Sequence, residues 1–95
     1  MFDAYAMTCA RHGMADYRLN ACGYSLGTTF SPNWMDWPMF YAGNPVPAEP
    51  GMVFFLHMIL IDGGSTTAMC PGTTVLVGEH GNEMLSRRPL DLVVK

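Results

Sequence analysis

The segment from Pro50 to Asp62 constrains the fold of this chain more than any other stretch. A Pro-Gly turn precedes it, Gly63-Gly64 follows it, and nine of the ten residues between Met52 and Ile61 are apolar. Ten such residues are too few for a membrane-spanning helix, which needs about 20. The Val, Ile and Phe content and the flanking turn residues predict a central strand that is buried on both faces.

His57 is the one polar residue inside this apolar run. A histidine in a buried strand must find a hydrogen-bond partner or lose its charge. Two interpretations therefore stand side by side. His57 is either a hydrogen-bonded histidine of the core or a functional group that faces a pocket.

The composition indicates a single small domain over residues 1–95 whose surface is partly covered by something else. Charged residues make up 14% of the chain, whereas about 25% is usual in globular domains. A small domain has much surface for its volume and should need more charge, not less. We therefore expect another domain of a longer protein, or a second copy of this chain, to cover part of the surface.

Charge and cysteine content exclude several functional classes. The net charge is −3, and the five basic residues are scattered except for Arg87-Arg88. This pattern predicts neither nucleic-acid binding nor membrane attachment. The three cysteines have no metal-ligand spacing and are interpreted as reduced, buried thiols of a cytoplasmic protein, in line with an N-terminus that does not resemble a signal peptide.

The first half of the chain predicts one helix, one strand and a long irregular segment. Apolar residues recur at helical spacing from Phe2 to Gly13, and Tyr17–Cys22 alternates as a half-buried strand does. The segment from Thr28 to Pro50 holds five prolines and both tryptophans. It is interpreted either as an interface or as a loop folded over its own core.

The second half predicts short antiparallel strands after the central one. We expect strands at Thr66–Cys70 and Thr73–Val77, a hairpin turn in which Gly81 has a positive φ, and a returning strand at 83–85. Leu90–Val94 is a last strand or an extended tail. One N-terminal helix followed by a curved, mostly antiparallel sheet is an α+β fold.

Three local patterns, in this order along the chain, resemble motifs of the pita-bread superfamily, which includes methionine aminopeptidase, aminopeptidase P, prolidase, creatinase and ectoine hydrolase. Gly23-Tyr24-Ser25-Leu26-Gly27 resembles the family's Gly-His-Gly-Ile-Gly block, with Gly-Tyr-Ser as in ectoine-hydrolase-like members. Pro50-Gly51-Met52-Val53-Phe54-Phe55-Leu56-His57 resembles Pro-Gly-Met-Val-Phe-Thr-Ile-Glu. Gly72-Thr73-Thr74-Val75-Leu76-Val77, with Gly81, Glu83 and Leu85-Ser86, resembles Glu-Asp-Thr-Val-Leu-Val and the Gly-x-Glu-x-Leu-Thr that follows it.

The resemblance implies that this chain is the C-terminal half of such a catalytic domain, half of a pita-bread fold. Metallopeptidases of the family hold two metal ions, often Mn, Co or Zn, with two aspartates, one histidine and two glutamates. The aspartates would lie upstream of Met1, and the three remaining ligand positions are Tyr24, His57 and Gly72. Glycine and an un-ionised tyrosine do not suit hard divalent ions. We therefore expect no metal and no other cofactor.

Creatinase and ectoine hydrolase resemble the peptidases in fold but hydrolyse C–N bonds without a metal. By this resemblance His57 and Tyr24 are the candidate catalytic residues, one exchanging a proton and the other donating a hydrogen bond to a developing charge. Ser31 stands where the family has a substrate-binding histidine, and Ser31 and Trp34 are the candidate substrate-binding residues.

Two functional hypotheses follow. In the first, the chain is the C-terminal part of a metal-independent hydrolase that acts on a small molecule or a dipeptide-like substrate and is inactive as this chain alone. In the second, it is a non-catalytic interaction or dimerisation module that retains only the fold. Both predict a homo-oligomer, most simply a dimer.

Overall fold

A computed structural model of the chain describes residues 1–30, 32 and 35–94. It contains one helix and seven strands among these residues. In chain order they are α1 (Phe2–Arg11), β1 (Ala21–Ser25), β2 (Asp36–Tyr41), β3 (Val53–His57), β4 (Leu60–Asp62), β5 (Thr67–Met69), β6 (Gly72–Val77) and β7 (Asn82–Met84).

Five of the strands form one sheet in the order β2-β1-β3-β6-β7, and β4 and β5 form a separate two-stranded sheet. Every neighbouring pair of strands is antiparallel. The α+β fold class is therefore confirmed. That this sheet is one half of a pita-bread fold stays a prediction.

The single central strand predicted over Pro50–Asp62 is wrong, because the run divides into β3 and β4, which belong to different sheets. The two parts nevertheless keep one register: His57 pairs with Gly72, and Leu60 pairs with Met69. The backbone N–H of Met58 also donates to the carbonyl of Pro71 at the break. Proline has no N–H to return, so the ladder of hydrogen bonds is interrupted there. The run is thus one arm of a long hairpin with a gap in its middle.

Helix α1 lies over the β1 side of the sheet. Its apolar residues form a buried cluster with one residue of β1, and this cluster contains Phe2, Tyr5, Cys9 and Cys22. The end of the helix is defined by Gly13, whose φ is +69°. The N–H groups of Gly13 and Met14 donate to the carbonyls of Ala10 and Cys9, which is the Schellman arrangement. The helix predicted from the periodicity, including this glycine, is confirmed.

Strand alternation gives the sheet two different faces. Phe40, Phe54 and Val75 lie on the helix-side face, where Phe40 packs against the α1 cluster and its ring centroid is 4.4 Å from that of Phe54. On the opposite face, which we call the open face, lie Tyr24 and Phe55, directly paired residues whose ring centroids are 5.6 Å apart.

Two further predictions for the first half are corrected. The strand predicted at Tyr17–Cys22 starts later, as β1 (Ala21–Ser25). Before it, Arg18 forms an isolated bridge with Leu60, through the backbone hydrogen bonds of Tyr17 and Leu19 to β4 and its preceding residue. The stretch Thr28–Pro50, predicted to be irregular, contains the edge strand β2. The prolines in this stretch indicated a loop, but proline is also tolerated in edge strands such as β2.

In the second half, the hairpin of β6 and β7 is confirmed, and Leu85 extends it by donating its N–H to the carbonyl of Thr74. The positive φ predicted for Gly81 is wrong, since the turn closes with the N–H of Gly78 donating to the carbonyl of Gly81 instead. Residues 90–94 form no strand and are exposed.

Cys9 and Cys22 are buried free thiols, whereas Cys70 is exposed, which corrects the expectation that all three are buried. Burial raises the pKa of the Cys22 thiol. Within the described part of the chain, no helix is long and apolar enough to cross a membrane.

Candidate functional site

Three strands bring the residues singled out in the sequence together on the open face. Tyr24 is on β1, His57 ends β3 and Gly72 begins β6. These strands are neighbours in the sheet, and His57 and Gly72 are directly paired. Residues that are far apart in sequence thus occupy one small area of the sheet.

An irregularity in β1 puts Tyr24 on this face. Ala21 pairs with Tyr41, and Tyr24 pairs with Met39. Between these two pairs β1 therefore contains one residue more than β2. This is the geometry of a β-bulge, which redirects the side chains that follow it. Cys22 turns towards α1 as a result, and Tyr24 points to the open face beside His57.

The aromatic rings on the open face form a compact group. The His57 ring centroid lies 6.2 Å from that of Tyr24, nearly perpendicular to it, and 5.2 Å from that of Phe55. Perpendicular and tilted arrangements at these separations are the favourable ones for aromatic pairs. Tyr24 is buried while His57 is half-buried, so the imidazole is the more accessible of the two polar groups.

A cleft of about 170 Å³ opens beside Tyr24 and His57. None of the described side chains that line it is charged. Its walls are formed by Leu19, Ala21, Gly23, Tyr24, Met35, Met39, His57 and Ile59. The imidazole and the phenol can exchange hydrogen bonds with a ligand, while the aliphatic and thioether groups can contact only its apolar part.

Phe55 occupies the space that a side chain at position 72 would need. A Cβ atom built on Gly72 would lie 2.4 Å from the Phe55 Cζ atom. Real Cβ atoms do not approach a ring so closely. The ring covers the glycine, in the way that an aromatic residue protects a glycine on a neighbouring strand.

The residues at the three ligand positions do not fit a divalent metal centre. Gly72 supplies no ligand, Phe55 fills the place beside it, and the described lining of the cleft includes no carboxylate. Hard divalent ions in proteins take oxygen ligands, chiefly carboxylates. Among the described residues, no three His, Cys, Asp or Glu side chains are grouped so as to hold a metal ion. The expectation of a metal-free protein itself stays a prediction.

The other two candidate site residues, Ser31 and Trp34, lie outside the described residues. The structure adds Met35, Met39 and Ile59 to the candidate site, and the sequence had not predicted these three residues.

Met39 pairs directly with Tyr24, but this pairing could be foreseen only if β2 was recognised as a strand. The alternation around Met39 is short and interrupted by Pro38, so its signal is weak.

Comparison of the sequence with models of known protein families and with curated proteins gives no significant match.

Proposed function

We propose that the chain is the C-terminal part of a creatinase-like or Xaa-Pro-peptidase-like hydrolase that cleaves a C–N bond with a degenerate metal site. The observation that carries this proposal is the convergence of Tyr24, His57 and Gly72 on one face of three adjacent strands. These are the positions that the sequence motifs equate with the ligands of the metallopeptidases. Chance matches to three separate motifs would not be expected to converge in space.

In this proposal His57 exchanges a proton with the substrate or with an attacking water, because imidazole is both a donor and an acceptor near neutral pH. Tyr24 donates a hydrogen bond to the charge that develops on the group being cleaved. The substrate is a small molecule or a dipeptide-like compound, and its apolar part contacts Met35 and Met39. The cleft forms only one wall of a complete pocket, so the chain alone is expected to be inactive. We place the protein in the cytoplasm.

Binding to the cleft can be tested with the chain itself by NMR. An Xaa-Pro dipeptide or creatine should shift the ring signals of Tyr24 and His57 and leave those of Tyr17 and His80 unchanged. Tyr17 and His80 are matched controls, since both are exposed and neither lines the cleft. Equal shifts at all four residues, or none at Tyr24 and His57, would contradict the proposal.

Hydrolysis is to be tested in the longest protein that the reading frame around this chain encodes. His57→Ala should lower kcat/KM for the cleaved substrate by at least about 100-fold, the usual contribution of a general acid or base. His80→Asn should not. Extensive dialysis against a chelator should leave the rate unchanged. A rate that falls on dialysis and returns with manganese would show a metal enzyme instead.

The alternative, a non-catalytic interaction module, is favoured by one specific observation. Phe30 and Trp37 are 81% and 61% exposed. Exposed aromatic side chains commonly mark surfaces that contact a partner. A second copy of the chain is the partner we propose in either case. Self-association of the longer protein in the absence of any C–N bond hydrolysis would favour this alternative.

A further inference from the structure

The helix-side face of the sheet is only partly covered by α1. The helix contacts β1 and the residues around it, and Met1 at its start borders the next part of this face. Over β3, β6 and β7, the described part of the chain places no helix. We call this part the helix-side groove. It is lined by Phe54, Leu56, Val75, Val77, Met84 and Leu90.

Strand pairing shows that these side chains form one continuous surface. Val75 pairs with Phe54 on one side and with Met84 on the other. Two cavities of about 230 and 260 Å³ lie along the groove, and Leu56 lines both of them. Among the residues that the structure describes, no charged side chain lines either cavity. A surface of this kind resembles the core of an interface rather than solvated surface.

The surface area of the chain indicates how much is left uncovered. The chain exposes 7119 Å², whereas a folded monomer of its mass is expected to expose about 5,400 Å². The difference, roughly 1,700 Å², exceeds the ~800 Å² that each partner contributes to a stable interface. The chain therefore has enough uncovered surface for a dimer.

The C-terminal residues supply further apolar surface next to the groove. Leu90 already lines its Pro71 end. Leu92, Val93 and Val94 follow and are each at least 77% exposed. Three consecutive exposed apolar residues are unfavourable on a solvated surface.

We infer that the helix-side groove is the docking surface for a second copy of this chain, with the groove and C-terminal residues of each copy packing against those of the other around a two-fold axis. This inference rests on the self-association proposed above and is independent of hydrolysis. A second copy fits because none of the described side chains that line the groove is charged. Among the described C-terminal residues 90–94, Asp91 alone is charged, so two chains with a net charge of −3 each bring few like charges together at this surface. The inference places the centre of the interface on the helix-side face, where Phe40 of β2 also lines the groove.

Sedimentation velocity at about 10 μM, well above the Kd of a stable dimer, tests this. The wild-type chain should sediment as twice its 10.5 kDa mass. Met84→Glu should weaken the dimer by at least about tenfold, since each copy would bury a carboxylate that has no partner. The matched control is Met69→Glu, because Met69 and Met84 have the same exposed fraction, 54%, and Met69 lies on β5, away from the groove. It should leave the dimer unchanged.

Removal of residues 91–95 should also weaken the dimer, and far-UV circular dichroism of each variant checks that it folds. A monomeric wild-type chain would overturn both this inference and the proposed self-association. A dimer that survives Met84→Glu but dissociates with Trp37→Glu would overturn the inference alone, because it would place the interface at β2. Equal weakening by Met84→Glu and Met69→Glu would overturn it as well.

Discussion

Gly72 is the position at which the sheet leaves least room for a side chain. Gly72→Ala would drive its Cβ into the Phe55 ring, and we expect a loss of about 1–3 kcal/mol in the free energy of unfolding, as for other overpacked cores. Urea denaturation measures this change in the free energy of unfolding. Gly63→Ala is the control, since a Cβ atom at position 63 meets no atom within 4 Å.

The same substitution reveals whether the Phe55 ring is the cause. In a double-mutant cycle with Phe55→Leu, Gly72→Ala should cost at least about 1 kcal/mol less than it does in the wild-type background. An equal cost in both backgrounds would mean that the strain lies in the backbone of Gly72 and not in the ring above it.

Tyr5 ties the helix to the hairpin, because its hydroxyl donates to the carbonyl of Ile59 at 3.1 Å. Burial, with a smaller effect of Cys9, raises the pKa of Tyr5 to about 12. Tyr5→Phe should therefore lower the free energy of unfolding by about 1 kcal/mol at neutral pH.

The pH dependence of this difference has a definite sign. The unfolded chain loses the Tyr5 proton near pH 10 and the folded chain only near pH 12. The contribution of Tyr5 to stability is therefore complete below pH 10 and is lost as the pH rises towards 12. Unfolding measured at intervals from pH 8 to 12 should show the wild type and Tyr5→Phe converging, and a constant difference would contradict this. Tyr17→Phe is the control.

At the scale of elements, Asp36 organises the connection between β1 and β2. Its carboxylate accepts hydrogen bonds from the backbone N–H groups and the hydroxyls of Thr28 and Thr29. The Thr28 hydroxyl is the largest of the influences that lower the pKa of Asp36. The first residue of the edge strand therefore fixes the loop that precedes it.

Asp36→Ala should raise the amide hydrogen exchange rates of Thr28 and Thr29 several-fold, measured by NMR, because both N–H groups lose their acceptor. Because the folded-state pKa of Asp36 is lowered, its stabilising effect is present above the unfolded value near 4 and is lost as the pH falls through the folded one. The protection of the two amides should decrease in the same range. Asp16→Ala should leave them unaffected, and unchanged exchange in Asp36→Ala would show that other contacts hold the loop.

An element could be predicted from the sequence when the residues that define it lie within the element itself. Helix α1 has apolar residues at helical spacing along its whole length and a glycine at its C-terminal end, so its local sequence was sufficient to predict it. The break after His57 was not foreseeable from that segment, because the proline that interrupts the ladder stands on the opposite arm, at position 71. Likewise the bulge at Cys22 is defined by pairing with β2, so the face on which Tyr24 lies depends on a strand that was itself missed.

At the scale of the whole molecule, the sequence and the structure direct attention to different surfaces for a partner. A charged fraction of 14% predicts a covered surface, and that a partner covers it stays a prediction. The aromatic residues Phe30 and Trp37, which are exposed, indicated an interface at and before β2. The groove is formed by residues of β3, β6 and β7 that look like core residues in the sequence. The position of α1 over β1 shows that, among the described elements, no helix covers them.

The long hairpin has a consequence for how the chain folds. Its two arms keep one offset from Val53–Leu76 to Asp62–Thr67, and the turn between them is held by Asp62, which accepts from the Gly64 and Ser65 N–H groups. Pairing can therefore begin at this turn and propagate to the middle of the large sheet without a change of register, so that little loop entropy is lost at each step. In stopped-flow measurements Asp62→Ala should mainly slow folding, whereas Tyr5→Phe should mainly accelerate unfolding. The opposite pattern would place α1, and not the hairpin, in the folding nucleus.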